Sequence, residues 1–129
     1  TILIHNHRCV DHVLLLKDGH VMTQPTTGEA PSPRGLHAAC RIGNRLVVFG
    51  GAAQGGAMSN EVFVLDYPSS SSSSLWEWKR MEITSDAAPS PRASPCFCAL
   101  DDSCGIVFGG ATVEASKGGL HGCDDLWLL

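Results

Sequence analysis

Ala30-Pro31-Ser32-Pro33-Arg34 recurs residue for residue as Ala88-Pro89-Ser90-Pro91-Arg92. Downstream of each lies an apolar run with the same ending, Val48-Phe49-Gly50-Gly51-Ala52 and Val107-Phe108-Gly109-Gly110-Ala111. A loop follows each double glycine. Then comes Asn60-Glu61-Val62-Phe63-Val64-Leu65 in one copy and Asp124-Asp125-Leu126-Trp127-Leu128-Leu129 in the other. The order is kept while the loops vary in length. Self-similarity in a fixed order on this scale marks a repeat architecture.

Glycine, proline and serine clusters cut the central copy into short strands. Residues 36–42 follow the proline-rich turn, and Gly43-Asn44 makes a tight hairpin turn. Residues 45–49 form an apolar strand stopped by Gly50-Gly51, residues 52–59 a loop of small side chains, and residues 61–65 a third strand. A connector with serine at every position from 69 to 74 leads to a fourth strand over residues 76–82. There Trp76 and Trp78 stand two apart and share a face. Four antiparallel strands joined by turns make a meander.

The second and third strands, Leu46-Val47-Val48-Phe49 and Val62-Phe63-Val64-Leu65, do not alternate. A sheet with one face in water would alternate, so both faces must be covered. No segment has helical periodicity, so the covering layers are neighbouring four-stranded units. Radial stacking of such units is an all-β propeller.

The flanks are partial copies. Asp11-His12-Val13-Leu14-Leu15-Leu16 aligns with residues 60–65, and residues 20–27 fall where residues 78–85 fall. The predicted organisation is one complete and two partial blades. Residues 1–27 supply strands two to four of one blade, residues 28–85 a complete blade, and residues 86–129 a blade lacking its fourth strand.

These residues resemble the kelch repeat, the β-propeller family whose fold is that of the galactose oxidase central domain. Pro31-Ser32-Pro33-Arg34-Gly35-Leu36-His37, Phe49-Gly50-Gly51, residues 60–66 and then Trp76 or Trp78 follow that blade's pattern. The second copy keeps Arg92 and Phe108-Gly109-Gly110 but has Pro95 where His37 stands, so its first strand is expected to start later. The first partial copy departs further, with His5-Asn6 at the double glycine and His20 at Trp78. Gly50, Gly51, Gly109 and Gly110 are expected to serve tight backbone approach where strand two leaves the sheet. Trp76 or Trp78 should fill the wedge between blades, and Arg34 and Arg92 should bond carbonyls near the hub. A kelch unit runs to about 50 residues and a propeller needs about four to eight. The chain is therefore expected to be a piece of a longer propeller. Standing alone it would expose two apolar end faces, which invites self-association.

Composition narrows the function. The chain has 129 residues, 43% of them apolar and 17% charged, as befits a globular protein. Its net charge of −4 provides no basic stripe for nucleic acid. No apolar run approaches the length of a membrane span. Cysteines at 9, 40, 96, 98, 104 and 123 lie in or beside strand-like segments and are read as buried free thiols of an intracellular, cytoplasmic protein. His5, His7 and Cys9 alternate, as zinc ligands on a strand can, but their spacing matches no structural-zinc pattern, and a solvated edge is the better reading. Cys96 and Cys98 are read as core fillers rather than a redox pair, and the serine run as a connector rather than a modification site. Copper chemistry of the galactose oxidase type needs tyrosines, and only Tyr67 is present. No cofactor, metal or catalytic residue is expected.

Loops 2–3 and 4–1 open on one rim of such a ring, and loops 1–2 and 3–4 on the other. The 2–3 loops, residues 52–59 and 111–123, are long, and recognition is expected there. Gln54, Met58, Asn60, Lys117 and His121 are the candidate contacts with a protein partner. The resemblance implies a non-catalytic interaction module of scaffold or substrate-receptor type. Its alternative is the kelch portion of a multidomain enzyme or ubiquitin-ligase adaptor.

Overall fold

The computed structural model describes residues 9, 11–68, 75–85, 87–114, 116 and 118–129. Its strands, in chain order, are β1 (Val13–Lys17), β2 (His20–Gln24), β3 (Thr26–Gly28), β4 (Ala38–Ile42), β5 (Arg45–Phe49) and β6 (Val62–Asp66). Then follow β7 (Trp76–Met81), β8 (Cys96–Ala99), β9 (Gly105–Phe108), β10 (Ala111–Glu114), β11 (Gly119–Gly122) and β12 (Leu126–Leu128).

Strands β4 to β7 form the predicted antiparallel meander, blade two, with β4 at one edge and β7 near the other. Strands β8, β9 and β12 form the first three strands of blade three. Strands β1 and β2 pair as a hairpin belonging to blade one. Asp18 and Gly19, both at positive φ, make its turn.

The unalternating strands of blade two are covered on both faces. Val47, Phe49, Val62 and Val64 pack with Ile42 against Phe97 and Val107 of blade three. Val48, Phe63, Leu65 and Trp78 pack on the opposite face, with Val13 of blade one against them. Phe49 and Leu65 are both 0% exposed although they point to opposite sides. Burying such a side chain is worth about 1.5–3 kcal/mol, so each interblade seam is a core in its own right.

Three local features differ from the sequence reading. First, residues 20–27 do not form one outer strand. Pro25, which has no N–H to give a ladder, interrupts the run after Gln24, and Thr26–Gly28 crosses to pair in parallel with Trp76–Met81. Gly28 has φ +81°, and a Cβ there would overlap the Trp78 carbonyl. Second, the long loop after Gly109-Gly110 is itself a hairpin, β10 with β11, in which Val113 faces Leu120 across the strands.

Third, Pro95 does not delay strand one of blade three. Cys96 pairs with Phe108 just as Ala38 pairs with Phe49, at the same place in the repeat. Both His37 and Pro95 precede their strands, so the missing N–H costs no ladder bond. The entry to each strand is instead fixed by paired bonds between Gly35 and Ala52 and between Ala93 and Ala111. The next residues, Leu36 and Ser94, both adopt the left-handed conformation, with φ of 55° and 52°.

The cysteines correct another expectation. All six are free, but Cys96 and Cys98 are exposed and the other four are half-buried. On β8 they alternate with buried Phe97 and share the opposite face of the strand.

Candidate functional site

One rim of the blades is organised by two buried arginines. The Arg34 guanidinium donates to the Ser32 carbonyl at 3.1 Å, the Gly50 carbonyl at 3.2 Å, Ser32 Oγ at 3.0 Å and Glu61 Oε2 at 2.8 Å. Arg92 repeats the pattern with the Ser90 carbonyl at 3.1 Å, the Gly109 carbonyl at 3.0 Å, Ser90 Oγ at 3.0 Å and Asp125 Oδ2 at 2.8 Å. Asp125 grips Arg92 with both oxygens, whereas Glu61 gives Arg34 one and turns the other to Arg80 at 3.3 Å. Hydrogen bonds from the arginines hold both carboxyl groups below the usual carboxylate range, against the opposing effect of burial. The expected carbonyl bonds are present. The acidic partners Glu61 and Asp125 are additional, and each immediately precedes its blade's third strand, β6 or β12.

The arginines thus tie the Pro-Ser-Pro turn, the double glycine and the start of strand three into one knot per blade. Gly50 has φ +69°, and a Cβ on it would stand 2.8 Å from the Arg92 carbonyl. Gly51 has φ +96°, and its Cβ would stand 2.7 Å from the Gly35 carbonyl. Gly110, at φ +88°, is confined in the same way by the Ala93 carbonyl at 2.7 Å. Gly109 shares the conformation at φ +67°, yet its Cβ would meet only the Cys123 carbonyl at 3.5 Å. Trp78 is 3% exposed in the seam toward blade one. Trp76 is half-buried beside it and tilts against Tyr67, the ring centroids 5.2 Å apart.

From these knots the two 2–3 connections reach the same rim. Residues 52–59 fold back on themselves through bridges from Ala52 to Gly35 and to Met58. Gln54 is exposed there, and its Oε1 accepts a 3.1 Å bond from the Cys9 N–H. Met58 is half-buried along a polar hollow shared with Ala53, Ser59 and Arg80. Asn60 is held inward, its Nδ2 donating to the Pro89 carbonyl at 3.0 Å, which joins blade two to the turn before blade three. His121 lies half-buried on β11 opposite Thr112, with Nε2 unbonded among the described residues. Lys117 lies outside the described residues, as do His5, His7 and the serine run.

The hairpin adds two residues absent from the sequence-based set. Val113 is 61% exposed and Leu120 66% exposed, side by side on this rim. Gly118-Gly119 between two apolar-bearing segments was the available signal, being a hairpin-type turn. A second hollow of about 580 Å³ lies between Asn60, Glu61, Arg80, Glu82 and Glu29. On the opposite rim the 1–2 turns of blades two and three meet, a Cβ on Gly43 falling 2.8 Å from the Asp102 carbonyl. Among the described residues no group of three or more His, Cys, Asp or Glu side chains is disposed to hold a metal ion. None of the described helical residues makes a helix long and apolar enough to cross a membrane.

A four-stranded antiparallel meander and a three-stranded counterpart, a buried arginine and a double glycine in each, packed face to face, define the class as β-propeller blades. The chain belongs to the kelch-repeat family: the model of the KLHDC2/KLHL20/DRC7 Kelch-repeats domain matches residues 5–129. It is similar to the dynein alpha chain of the flagellar outer arm of Chlamydomonas reinhardtii, 38% identical over 79% of this chain and 2% of that protein. Dynein regulatory complex subunit 7 of the same organism is 37% identical over 70% of this chain and 7% of its own length. Kelch domain-containing protein 2 of Bos taurus is 32% identical over 81% of this chain and 24% of its own. The chain therefore spans a quarter or less of each of these relatives.

Proposed function

We propose that the chain is a non-catalytic kelch interaction module, of scaffold or substrate-receptor type, that forms part of a longer propeller and holds a protein partner on its 2–3 rim. The observation that carries this reading is the exposed Val113–Leu120 pair, held side by side on the β10–β11 hairpin. Exposed apolar side chains on a rigid scaffold, ringed by polar groups, suit protein recognition. Of the sequence-based candidates, Gln54, Met58 and His121 remain as contacts on that rim, and Lys117 belongs to the same connection. Asn60 fits a structural role better, since its amide is spent on the Pro89 carbonyl. The partner is a protein, and no reaction is assigned to the chain. An intracellular, cytoplasmic setting is supported by six cysteines that stand free.

The test is direct binding of a partner identified by cross-linking and then purified. A chain with Val113→Ser and Leu120→Ser should lose at least about tenfold in affinity, the worth of roughly 1.4 kcal/mol. Unchanged affinity would remove the rim from consideration. The small share of the relatives that the chain covers keeps the alternative open, in which this module serves an enzyme or ligase adaptor whose other domains do the chemistry.

A further inference from the structure

Three serines of the chain precede a proline, Ser32, Ser90 and Ser94. The first two sit in identical pentapeptides, residues 30–34 and 88–92, so any difference between them comes from the fold. Ser32 is exposed, as are Glu29, Ala30 and Pro33 around it, whereas Ser90 is half-buried. The turn around Ser90 is pinned on both sides. Asn60 Nδ2 donates to the Pro89 carbonyl at 3.0 Å, and Thr112 Oγ1 donates to the Pro91 carbonyl at 2.6 Å. At the corresponding places of the repeat, the Ser32 turn has Asp11 and Ala53. A carboxylate and a methyl group have no hydrogen to donate. Ser94 is held differently, at φ 52° with its N–H on the Leu36 carbonyl at 2.7 Å, so it is not extended.

Ser32 also has cationic groups beside it. Its Oγ lies 3.0 Å from Arg34 Nη2. Ser32, Arg34, Glu61 and Arg80 line one hollow of about 370 Å³. Arg34 is 5% exposed there, and Arg80 stands 3.3 Å from Glu61. Two guanidinium groups against one carboxylate leave one positive charge over.

We propose that Ser32 is a phosphorylation site for a proline-directed kinase, and that Arg34 and Arg80 receive its phosphate. A serine before proline is held extended, and Pro33 brings no N–H to be left unpaired in a kinase's groove. Ser32 Oγ bonds to the γ-phosphorus of ATP as the bond to the ADP oxygen breaks, and the hydroxyl proton passes to the kinase's base. The phosphate carries a charge of about −1.5 to −2 near neutral pH. Guanidinium groups bind such oxygens through short charge-assisted bonds. Glu61 gives Arg34 a single oxygen and can yield it, whereas Asp125 holds Arg92 with both. Modification therefore rewires the knot of blade two and leaves that of blade three. It does not rest on a partner being bound at the rim.

The test treats the folded chain with a cyclin-dependent kinase and ATP and maps the phosphate by mass spectrometry. Ser32 should be labelled at least about tenfold faster than Ser90 and Ser94, whose turns must open first. Separate peptides spanning Ser32 and Ser90 should be labelled at equal rates, because their sequences match. In the labelled chain the phosphorus-31 resonance should titrate at least about half a unit below the usual value of about 6 for a phosphoserine. Arg80→Gln should bring that titration back toward the usual value. No label on Ser32 in the folded chain, or Ser90 labelled as fast, would overturn the proposal. So would an ordinary phosphate titration in the labelled chain. Neither readout involves a partner at the rim, so failure here and failure of partner binding are told apart.

Discussion

The carbonyl of Arg92 accepts a 2.9 Å hydrogen bond from the N–H of Gly51, which belongs to the preceding blade. The Arg92 N–H in turn donates to the Ser59 carbonyl of that blade at 2.9 Å. The side chain of Arg92 serves its own blade while its main chain is clamped by the one before. That double duty separates the two glycine pairs.

Gly50→Ala sets a methyl 2.8 Å from the Arg92 carbonyl as well as forcing alanine into φ +69°. Gly109→Ala meets nothing nearer than 3.5 Å and bears the conformational cost alone. The first should destabilise by about 3 kcal/mol or more and the second by about 1–2 kcal/mol. Chemical denaturation of the two variants decides it, and equal midpoints would show that the clamp is not felt.

The carboxylates of the two knots should also differ. Breaking a buried pair by removing one partner costs about 3–5 kcal/mol, and Asp125 is 39% exposed, so Asp125→Ala should fall near the lower end of that range. Glu61→Ala should cost less, because Glu61 gives Arg34 a single oxygen and shares its other with exposed Arg80. A double change with Arg92→Met should recover part of the Asp125→Ala loss, since the unpaired buried charge goes with it. If the pair proves additive, the knot is not an electrostatic unit.

Acid should dismantle both knots. The folded-state values of Glu61 and Asp125 lie below their ordinary values of 4.5 and 3.8. The unfolded chain therefore binds these protons more readily than the folded one. Their contribution is fully present above the ordinary values and declines as pH falls through the folded-state ones. Melting temperature should hold steady in mildly acidic buffer and drop below about pH 4, and E61Q with D125N should flatten that drop. A wild-type melting temperature unchanged from about pH 6 to about pH 3 would count against the arginine–carboxylate account.

Thiol chemistry reports the faces of β8. Cys96 and Cys98 are exposed, whereas Cys40 is half-buried, with its thiol pushed up by burial first and by Cys98 second. Alkylation near neutral pH followed by mass mapping should modify Cys96 and Cys98 ahead of Cys40. The reverse order would mean that this face of β8 is covered in solution.

Much of this architecture was legible because it is written twice. The unbroken apolar runs at residues 46–49 and 62–65 required two covering layers, and Phe49 and Leu65 are buried on opposite sides accordingly. Glu61 and Asp125 were visible as aligned acids at the third strands, but neither was assigned an arginine partner. Nothing local announces that an arginine about thirty positions away is buried and unneutralised until the two are folded together. The β10–β11 hairpin was hidden differently. Its apolar residues are too few and too exposed to set a period, and only Gly118-Gly119 hinted at a turn. Pro95 misled because its effect depends on whether a ladder bond was needed there, and the pairing begins one residue later.

The hairpin makes the rim uneven. Four paired residues per strand carry its tip roughly 13 Å from its base, at about 3.3 Å per residue. Blade two offers only the low, folded-back loop of residues 52–59 at the matching place. A visitor to this surface meets a step rather than a plateau, and can seat itself in one orientation and not its reverse. Direction of approach is thus built into the scaffold before any individual contact is made.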